Sequence, residues 1–240
     1  MTARRKISAG DKAVVLLSGG LDSATALAVA LGRGLECHTL SVHYGQHAWR
    51  ELVSAAAVSR ALGASRHQEI SIDLKSIGGS ALVEPGEVPG PEEATRRFGI
   101  PETYVPARNT VLLSLALGYA EVIGAYVVFI GANSVDYSGY PDCRPEYIAA
   151  FNRLAKLAVA EGSSGGRPIR IEAPLMRLTK GEIIRLGLSL GVDYKLTMSC
   201  YQPTQQGLSC GRCESCLLRL KGFEEAGSVD PIGYVVRPRT

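Results

Sequence analysis

The sequence predicts an α/β fold, a mostly parallel β-sheet with helices on both faces, followed by a smaller helical segment. Three observations lead to this prediction. The 240 residues suffice for one α/β domain or two small ones with a buried core. Hydrophobic residues make up 46% of the chain and charged residues 20%, as in globular proteins. Short apolar runs alternate with helix-forming stretches, which is typical of parallel strands joined by helices.

The predicted elements follow one another along the chain without an internal repeat. Apolar runs bounded by turn residues predict strands at residues 12–17, 37–44, 68–73, 127–131 and 169–172. Helix-forming stretches predict helices at residues 24–31, 51–62, 111–123 and 145–160. A further helix follows Thr179, where a Thr and a Glu three residues later form a capping-box pattern. We expect residues 1–190 to form the sheet domain and residues 191–240 a segment packed on it.

Residues 76–101 interrupt this alternation with many glycines and prolines, which do not sustain regular structure. A loop of this length in a compact domain is usually functional or mobile, so it is a candidate lid over a binding site. A disordered surface insertion is an equally good interpretation.

Charge and the start of the chain limit the classes of protein to consider. The 26 basic and 23 acidic side chains leave a net charge of +3, which gives no broad cationic face for gripping nucleic acid. The chain begins with charged residues and no apolar signal core, so we expect a cytoplasmic protein with reduced thiols. The apolar stretch 111–132 contains Glu121, and a helix leading into a strand explains it better than a membrane span.

A glycine-rich loop at residues 18–23 follows the first predicted strand and opens the first predicted helix. Its backbone amides and the positive end of the helix would meet at one point, which favours phosphate binding. Glycines let phosphate oxygens approach the amides, and Ser18 and Ser23 add hydroxyl donors. The segment lacks the ending of a Walker A loop and the glycine spacing of a dinucleotide fingerprint. The alternative is a turn that only reverses the chain direction, but such a turn requires glycine and does not require the two serines and Asp22.

Four cysteines near the C-terminal end have the spacing C-x9-C-x2-C-x2-C; they are Cys200, Cys210, Cys213 and Cys216. Soft thiolates at this spacing suit a tetrahedral zinc ion, and four of them leave no open position, so the metal would be structural. Disulfides and an iron–sulfur cluster are the alternatives. Cys37 begins an apolar strand and is expected in the core. Cys143 lies in a polar segment without a partner His and is expected to be a bystander rather than a nucleophile.

Two further segments lie where ligands are expected. In residues 104–110, Asn109 or Thr110 suits the start of a helix, and the guanidinium of Arg108 suits a phosphate or a carboxylate. Residues 131–146 leave a strand at its carboxyl end and combine acids, an arginine and tyrosines, which suits a small planar acid. A solvated turn held by Asp and Pro is the alternative for this segment.

These residues resemble two groups of known proteins, one within the other. Residues 18–23 match without a gap the Ser-Gly-Gly-x-Asp-Ser signature of the pyrophosphate-loop ATPases, which implies an adenine nucleotide α-hydrolase-like, Rossmann-like fold. The chain also resembles the 7-cyano-7-deazaguanine synthase family of queuosine biosynthesis. The segments that carry this resemblance, besides residues 18–23, are residues 43–46, 104–110, 133–146, 174–180, 199–201 and the trailing cysteines. Met198 stands where that family more usually has a Trp.

The resemblance implies an ATP-dependent carbon–nitrogen ligase that converts 7-carboxy-7-deazaguanine and ammonia into the 7-cyano compound through an adenylated acid and an adenylated amide. It implies ATP, Mg²⁺, one structural Zn²⁺ and a homodimer that acts on small molecules, with no direct nucleic acid and no membrane partner. Two alternatives stay open: another pyrophosphate-loop adenylating enzyme acting on a tRNA base or other acid, and a zinc-ribbon binding module without catalysis. A homologue that modifies DNA bases or protein termini is a third.

The expected site residues fall into four groups. The expected catalytic residues are Ser18, Asp22, Ser23, Arg108 and Lys180. The expected ATP-binding residues are Leu16, Leu17, Ser18, Gly19, Gly20, Leu21, Asp22, Ser23, Ala24, Thr25 and Ala26. The expected deazaguanine-binding residues are Asn109, Asn133, Asp136, Tyr140, Asp142 and Arg144. The expected metal ligands are Cys200, Cys210, Cys213 and Cys216.

Overall fold

The computed structural model describes residues 8–46, 50–84, 86, 88, 96–97, 100–135, 139–163 and 166–236. Within these ranges no helix is long and apolar enough to cross a membrane. The strands in them are β1 (Lys12–Leu16), β2 (Glu36–His43), β3 (Arg66–Ser71), β4 (Arg96–Arg97), β5 (Ile100–Pro101), β6 (Val127–Phe129) and β7 (Arg170–Glu172).

Five strands form one parallel sheet in the order β3-β2-β1-β6-β7, while β4 and β5 pair antiparallel in a separate ladder. The chain adds strands first on one side of β1 and then on the other, so the order reverses between β1 and β6. In open α/β sheets, ligands bind at the carboxyl ends of the strands at such a reversal. The prediction of a mostly parallel sheet is confirmed.

The helices are α1 (Leu21–Gly32), α2 (Arg50–Leu62), α3 (Arg108–Ile123), α4 (Pro145–Ala158), α5 (Ala160–Ser163), α6 (Lys180–Ser189) and α7 (Glu214–Glu225). Single 3₁₀ turns lie at Pro141–Cys143 and Tyr194–Leu196. Helix α1 begins earlier than the sequence predicts because the chain enters it directly from Gly20. The capping box before α6 is confirmed: Thr179 N donates to Glu182 Oε2 at 2.8 Å, and Glu182 N donates to Thr179 Oγ1 at 3.3 Å.

Helices cover both faces of the sheet. Successive side chains of a strand point to opposite faces, so Val15 packs in a core with α1, α2, α6 and α7. Val14 packs in a second core with α3 and α4 on the other face. Burial on both faces explains why β1 is a continuous apolar run rather than an alternating one.

The C-terminal residues pack against the same body. Phe223 of α7 and Tyr194 lie in the core that contains Val15. The phenol of Tyr194 lies 2.8 Å from Thr25 Oγ1 in α1. The proposed boundary at residue 190 stays a prediction.

Candidate functional site

The glycine-rich loop lies at the reversal in strand order, between the end of β1 and the start of α1. Gly19 has a φ of +88°, and a Cβ there would lie 2.1 Å from the backbone oxygen of Glu51 in α2. Gly131, just after β6, is also packed closely, since a Cβ would lie 2.9 Å from Ser23 N. Only glycine permits these approaches, which bring the loop, α2 and the end of β6 together.

Two serines of the loop support its shape. The hydroxyls of Ser18 and Ser23 lie 3.1 Å apart, and Ser23 Oγ also donates to Gly20 O at 3.0 Å. Gly20 is the N-cap of α1 and provides no side-chain cap. The first amides of a helix have no acceptor within the helix and carry the positive end of its dipole. The loop is therefore suited to an anion.

A cavity of about 220 Å³ opens beside this loop. Its walls combine the loop, the ends of β1, β2 and β6, the starts of α2 and α3, and the C-terminal segment. Lining residues include Leu16, Leu17, Ser18, Gly20, Leu21, Asp22, Ser23, Tyr44, Glu51, Leu82, Arg108, Asn109, Asn133, Tyr140, Cys143, Met198, Ser199 and Tyr201. Ala24, Thr25 and Ala26, which the sequence assigns to ATP, are buried in α1 behind this wall.

Part of the candidate lid belongs to this wall. Leu82 and Val83 are buried in a small cluster that includes Tyr44, and Leu82 lines the cavity. Residues 85, 87, 89–95 and 98–99 lie outside the described residues. Closure over the site therefore stays a prediction.

Asp22 and Lys180 form a partly buried ion pair. Lys180 Nζ lies 2.8 Å from each carboxylate oxygen of Asp22, and Lys180 is 6% exposed. The pair joins the start of α6 to the first turn of α1. Lys180 therefore neutralises a carboxylate that would otherwise repel phosphate at the helix start.

Arg108 and Glu51 bring two ionisable side chains to the cavity. Arg108 Nη1 donates to the hydroxyl of Tyr44 at 3.2 Å, and the guanidinium carbon lies 5.8 Å from the centre of the Tyr44 ring. Burial raises the pKa of Glu51 to about 8, and the charge of Arg108 only partly opposes that effect. Such a carboxyl in a cavity is typical of a functional site.

The backbone before Arg108 is strained in the same region. Ala107 has a φ of +55°, and it is the one non-glycine residue with positive φ in the described part of the chain. Its N–H donates to the hydroxyl of Tyr104 at 2.9 Å. Strain of this kind costs on the order of 1–3 kcal/mol and occurs often at functional sites. Here the strained residue directly precedes Arg108, the first residue of α3, which lines the cavity.

The predicted deazaguanine-binding residues occupy different places. Tyr140 lines the cavity, and its hydroxyl lies 2.7 Å from Thr103 Oγ1. Asn133 also lines the cavity, but its amide nitrogen donates to the backbone oxygens of Leu175 and Leu178 at 3.0 and 2.5 Å. Asn133 thus ties the end of β6 to the segment before α6.

Asp142 and Arg144 have contacts that the sequence does not predict. Asp142 Oδ2 accepts from Asn109 N at 3.0 Å, and Asn109 Nδ2 donates to Asp142 O at 3.1 Å. Asp142 therefore caps the start of α3 and is not among the lining residues. Arg144 is exposed at the start of α4. Asp136 lies outside the described residues.

Cys143 lies in the cavity wall, and Cys37 lies in the core as expected. Burial, together with the charge of Asp142, raises the pKa of Cys143 to about 11. The thiol is therefore protonated at neutral pH, which disfavours a nucleophilic role. This agrees with the interpretation of Cys143 as a bystander.

The four C-terminal cysteines converge on one point. All four sulfurs lie within 4.8 Å of one another, and those of Cys210 and Cys216 are 3.9 Å apart. Zinc–sulfur bonds of about 2.3 Å in a tetrahedron place sulfurs about 3.8 Å apart, whereas a disulfide requires about 2.05 Å. The amides of Arg212 and Cys213 donate to Cys210 Sγ at 3.5 and 3.4 Å. The residues fit a metal bound by four thiolates.

The parallel sheet, the reversal at β1 and the loop at residues 18–23 define a protein with the pyrophosphate-loop ATP-binding fold. The family model described as "Queuosine biosynthesis protein QueC" matches residues 12–227, and the chain belongs to this family. It is 57% identical over 223 residues to a 7-cyano-7-deazaguanine synthase of Saccharophagus degradans, covering 93% of this chain and 97% of that protein. It is 57% identical over 229 residues to one of Anaeromyxobacter dehalogenans, covering 95% and 97%.

These matches confirm the family resemblance seen in the sequence. The chain is a ligase-type enzyme of queuosine biosynthesis, and its substrates are small molecules. Sequence reasoning did not find Glu51 or Ser199 as lining residues. The sequence offered one indication for Glu51, namely its position as an acid in the first turn of the helix that follows β2.

Proposed function

We propose that the enzyme converts 7-carboxy-7-deazaguanine, ammonia and ATP into 7-cyano-7-deazaguanine through two adenylations. The observation that carries this proposal is the shared cavity. One wall is the glycine-rich loop, and another wall carries Arg108 and Tyr140, which suit an acid on a planar ring. A nucleotide on the first wall and an acid against the second would bring a carboxylate oxygen close to the α-phosphorus.

The proposed reaction removes the two carboxylate oxygens one at a time. A carboxylate oxygen attacks the α-phosphorus and releases pyrophosphate, and ammonia then displaces AMP to give an amide and a proton. The amide oxygen attacks a second ATP, and loss of AMP with the remaining amide protons gives the nitrile. Each nitrile therefore costs two ATP and yields two AMP and two pyrophosphates.

Each residue of the loop has a proposed role in holding the nucleotide. The amides of Gly19, Gly20, Asp22 and Ser23 and the hydroxyl of Ser18 bind the pyrophosphate end of ATP. Leu21 lines the same site, and the hydroxyl of Ser23 holds the loop through Gly20 O. Leu16 and Leu17 form the cavity floor, and Ala24, Thr25 and Ala26 support the loop from within α1. Arg108 stabilises negative charge on the reacting groups, and Lys180 keeps Asp22 neutralised.

The deazaguanine is proposed to bind on the other side of the cavity. Tyr140 stacks on or borders the ring, and Asp136 accepts hydrogen bonds from the guanine-like edge. Asn109, Asn133 and Asp142 hold this wall in place through their backbone contacts. Arg144 is exposed at the start of α4, and its proposed contact with the substrate requires a rearrangement of the segment before it on binding.

The remaining proposals concern cofactors, partners and location. ATP enters with Mg²⁺ on its phosphates, and Cys200, Cys210, Cys213 and Cys216 hold one structural Zn²⁺. With the pyrophosphate-loop domain at residues 1–190 and the zinc segment at 191–240, the chain acts as a cytoplasmic homodimer without direct contact with nucleic acid.

The test is to incubate the purified protein with ATP, Mg²⁺, ammonium and 7-carboxy-7-deazaguanine and to measure the product by mass spectrometry. We expect 7-cyano-7-deazaguanine and two AMP for each nitrile. Unmodified tRNA in place of the deazaguanine tests the alternative of an enzyme that adenylates a tRNA base. AMP formation with tRNA and none with the deazaguanine would overturn the proposal.

A further inference from the structure

The segment after the 3₁₀ turn Tyr194–Leu196 runs directly along the glycine-rich loop. Met198 N donates to Gly19 O at 2.9 Å, and Leu21 N donates to Ser199 Oγ at 3.4 Å. A Cβ on Gly20 would lie 3.9 Å from Ser199 Oγ. Ser199 itself lines the cavity. A residue far along the chain thus places a hydroxyl beside the phosphate-binding amides.

The hydroxyl of Ser199 is surrounded by donors. Leu21 N and Arg219 Nη1 each lie 3.4 Å from its oxygen, and neither group can accept a hydrogen bond. The oxygen therefore accepts from both, and its own proton needs an acceptor. Among the described residues no acceptor contacts this hydroxyl, and the open side of Ser199 is the cavity.

Arg219 is fixed behind Ser199. It is 2% exposed, and its guanidinium donates to Asp230 through Nε at 2.8 Å and Nη2 at 3.0 Å. It also donates to Thr197 Oγ1 at 2.7 Å and to Tyr194 O at 3.0 Å. A buried, hydrogen-bonded guanidinium holds the serine in one position and makes its hydroxyl a stronger donor.

We propose that the Ser199 hydroxyl donates a hydrogen bond to a phosphate oxygen of the bound nucleotide, next to the amides of Gly20 and Leu21. This inference rests on the proposed nucleotide site and adds to it a ligand from the C-terminal segment. Because Cys200 follows Ser199 directly, the cysteine centre anchors a nucleotide-binding residue.

The test compares Ser199→Ala with Ser209→Ala, a matched control in the same segment. Ser209 is buried, and its hydroxyl contacts Met198 Sδ at 3.6 Å rather than the loop. Calorimetry measures the binding of ATP with Mg²⁺ and of adenosine to each variant, alongside melting temperature and metal content. Loss of one hydrogen bond to a charged ligand predicts an ATP Kd about tenfold higher for Ser199→Ala.

The expected pattern is specific to phosphate. Ser199→Ala binds adenosine as the unchanged protein does and keeps its metal. Ser199→Thr, which keeps a hydroxyl, restores the affinity for ATP. Ser209→Ala binds ATP with the affinity of the unchanged protein. Unchanged ATP affinity in Ser199→Ala overturns the inference, as does an equal loss for ATP and adenosine, which would indicate a purely structural contact. If the unchanged protein binds no ATP, the proposed nucleotide site itself fails, and this inference fails with it.

Discussion

Replacing Glu51 with Gln tests the electrostatics of the cavity, because it removes an ionisable carboxyl while keeping the size of the side chain. Glu51 lines the cavity at the start of α2, where it is partly buried. Burial raises its pKa from the ordinary value of 4.5 to about 8, with Arg108 opposing this effect. At alkaline pH, ionisation of this carboxyl therefore lowers the free energy of unfolding of the protein.

The sign and size of the effect follow from proton linkage. Below about pH 4.5 the carboxyl is neutral in both the folded and unfolded states, so it costs nothing. Between 4.5 and about 8 the unfolded chain ionises first, so stability falls as pH rises and levels off above the folded-state pKa. At about 1.4 kcal/mol per pKa unit, the raised pKa of Glu51 lowers the free energy of unfolding by about 5 kcal/mol when the carboxyl is fully ionised. Between about pH 5.5 and about pH 8.5 this loss of stability grows by about 3 kcal/mol.

The assay is urea unfolding of Glu51→Gln and of the unchanged protein, without nucleotide, at several pH values. We expect the stability advantage of the variant to increase by about 3 kcal/mol from about pH 5.5 to about pH 8.5. Glu224→Gln, on the exposed face of α7, is the control and should show no such trend. A difference between Glu51→Gln and the unchanged protein that stays constant with pH would refute the reasoning.

Three other substitutions test separate parts of the account. Gly19→Ala places a Cβ 2.1 Å from Glu51 O at a φ of +88°, so we expect destabilisation by about 1–3 kcal/mol or more and loss of ATP binding in calorimetry. Cys213→Ser should lose its bound metal, as measured by elemental analysis, and should melt at a lower temperature. A variant that keeps its metal and its melting temperature contradicts a metal centre. Asp230→Asn leaves the buried guanidinium of Arg219 without its carboxylate partner and should lower the free energy of unfolding in urea by about 3–5 kcal/mol. A decrease below about 1 kcal/mol would show that the ion pair between Arg219 and Asp230 does not stabilise the fold.

The parts that the sequence predicts well are those governed by local pattern. The continuous apolar run of β1, the glycine-rich loop after it and the capping box at Thr179 each follow from neighbouring residues, and all three are confirmed. The four cysteines are also recognisable because spacing alone limits what they can bind.

The parts that the sequence could not predict depend on packing between distant residues. Ser199 reaches the loop across more than 170 positions in sequence, and composition does not reveal that contact. Asp142 has the chemistry of a ligand for a guanine-like edge, but it is turned toward the start of α3 instead. Whether an acid faces a cavity or caps a helix is decided by the tertiary fold, so residue type alone misplaces it.

Oxygen transfer into AMP tests the central claim most directly, since that claim is attack on the α-phosphorus by the oxygen of an acid held beside the loop at residues 18–23. The substrate is 7-carboxy-7-deazaguanine labelled with oxygen-18 in its carboxylate, incubated with ATP, Mg²⁺ and ammonium. We predict that each AMP carries one labelled oxygen and that pyrophosphate carries none. Label in orthophosphate together with ADP, or unlabelled AMP accompanying the nitrile, would contradict the account.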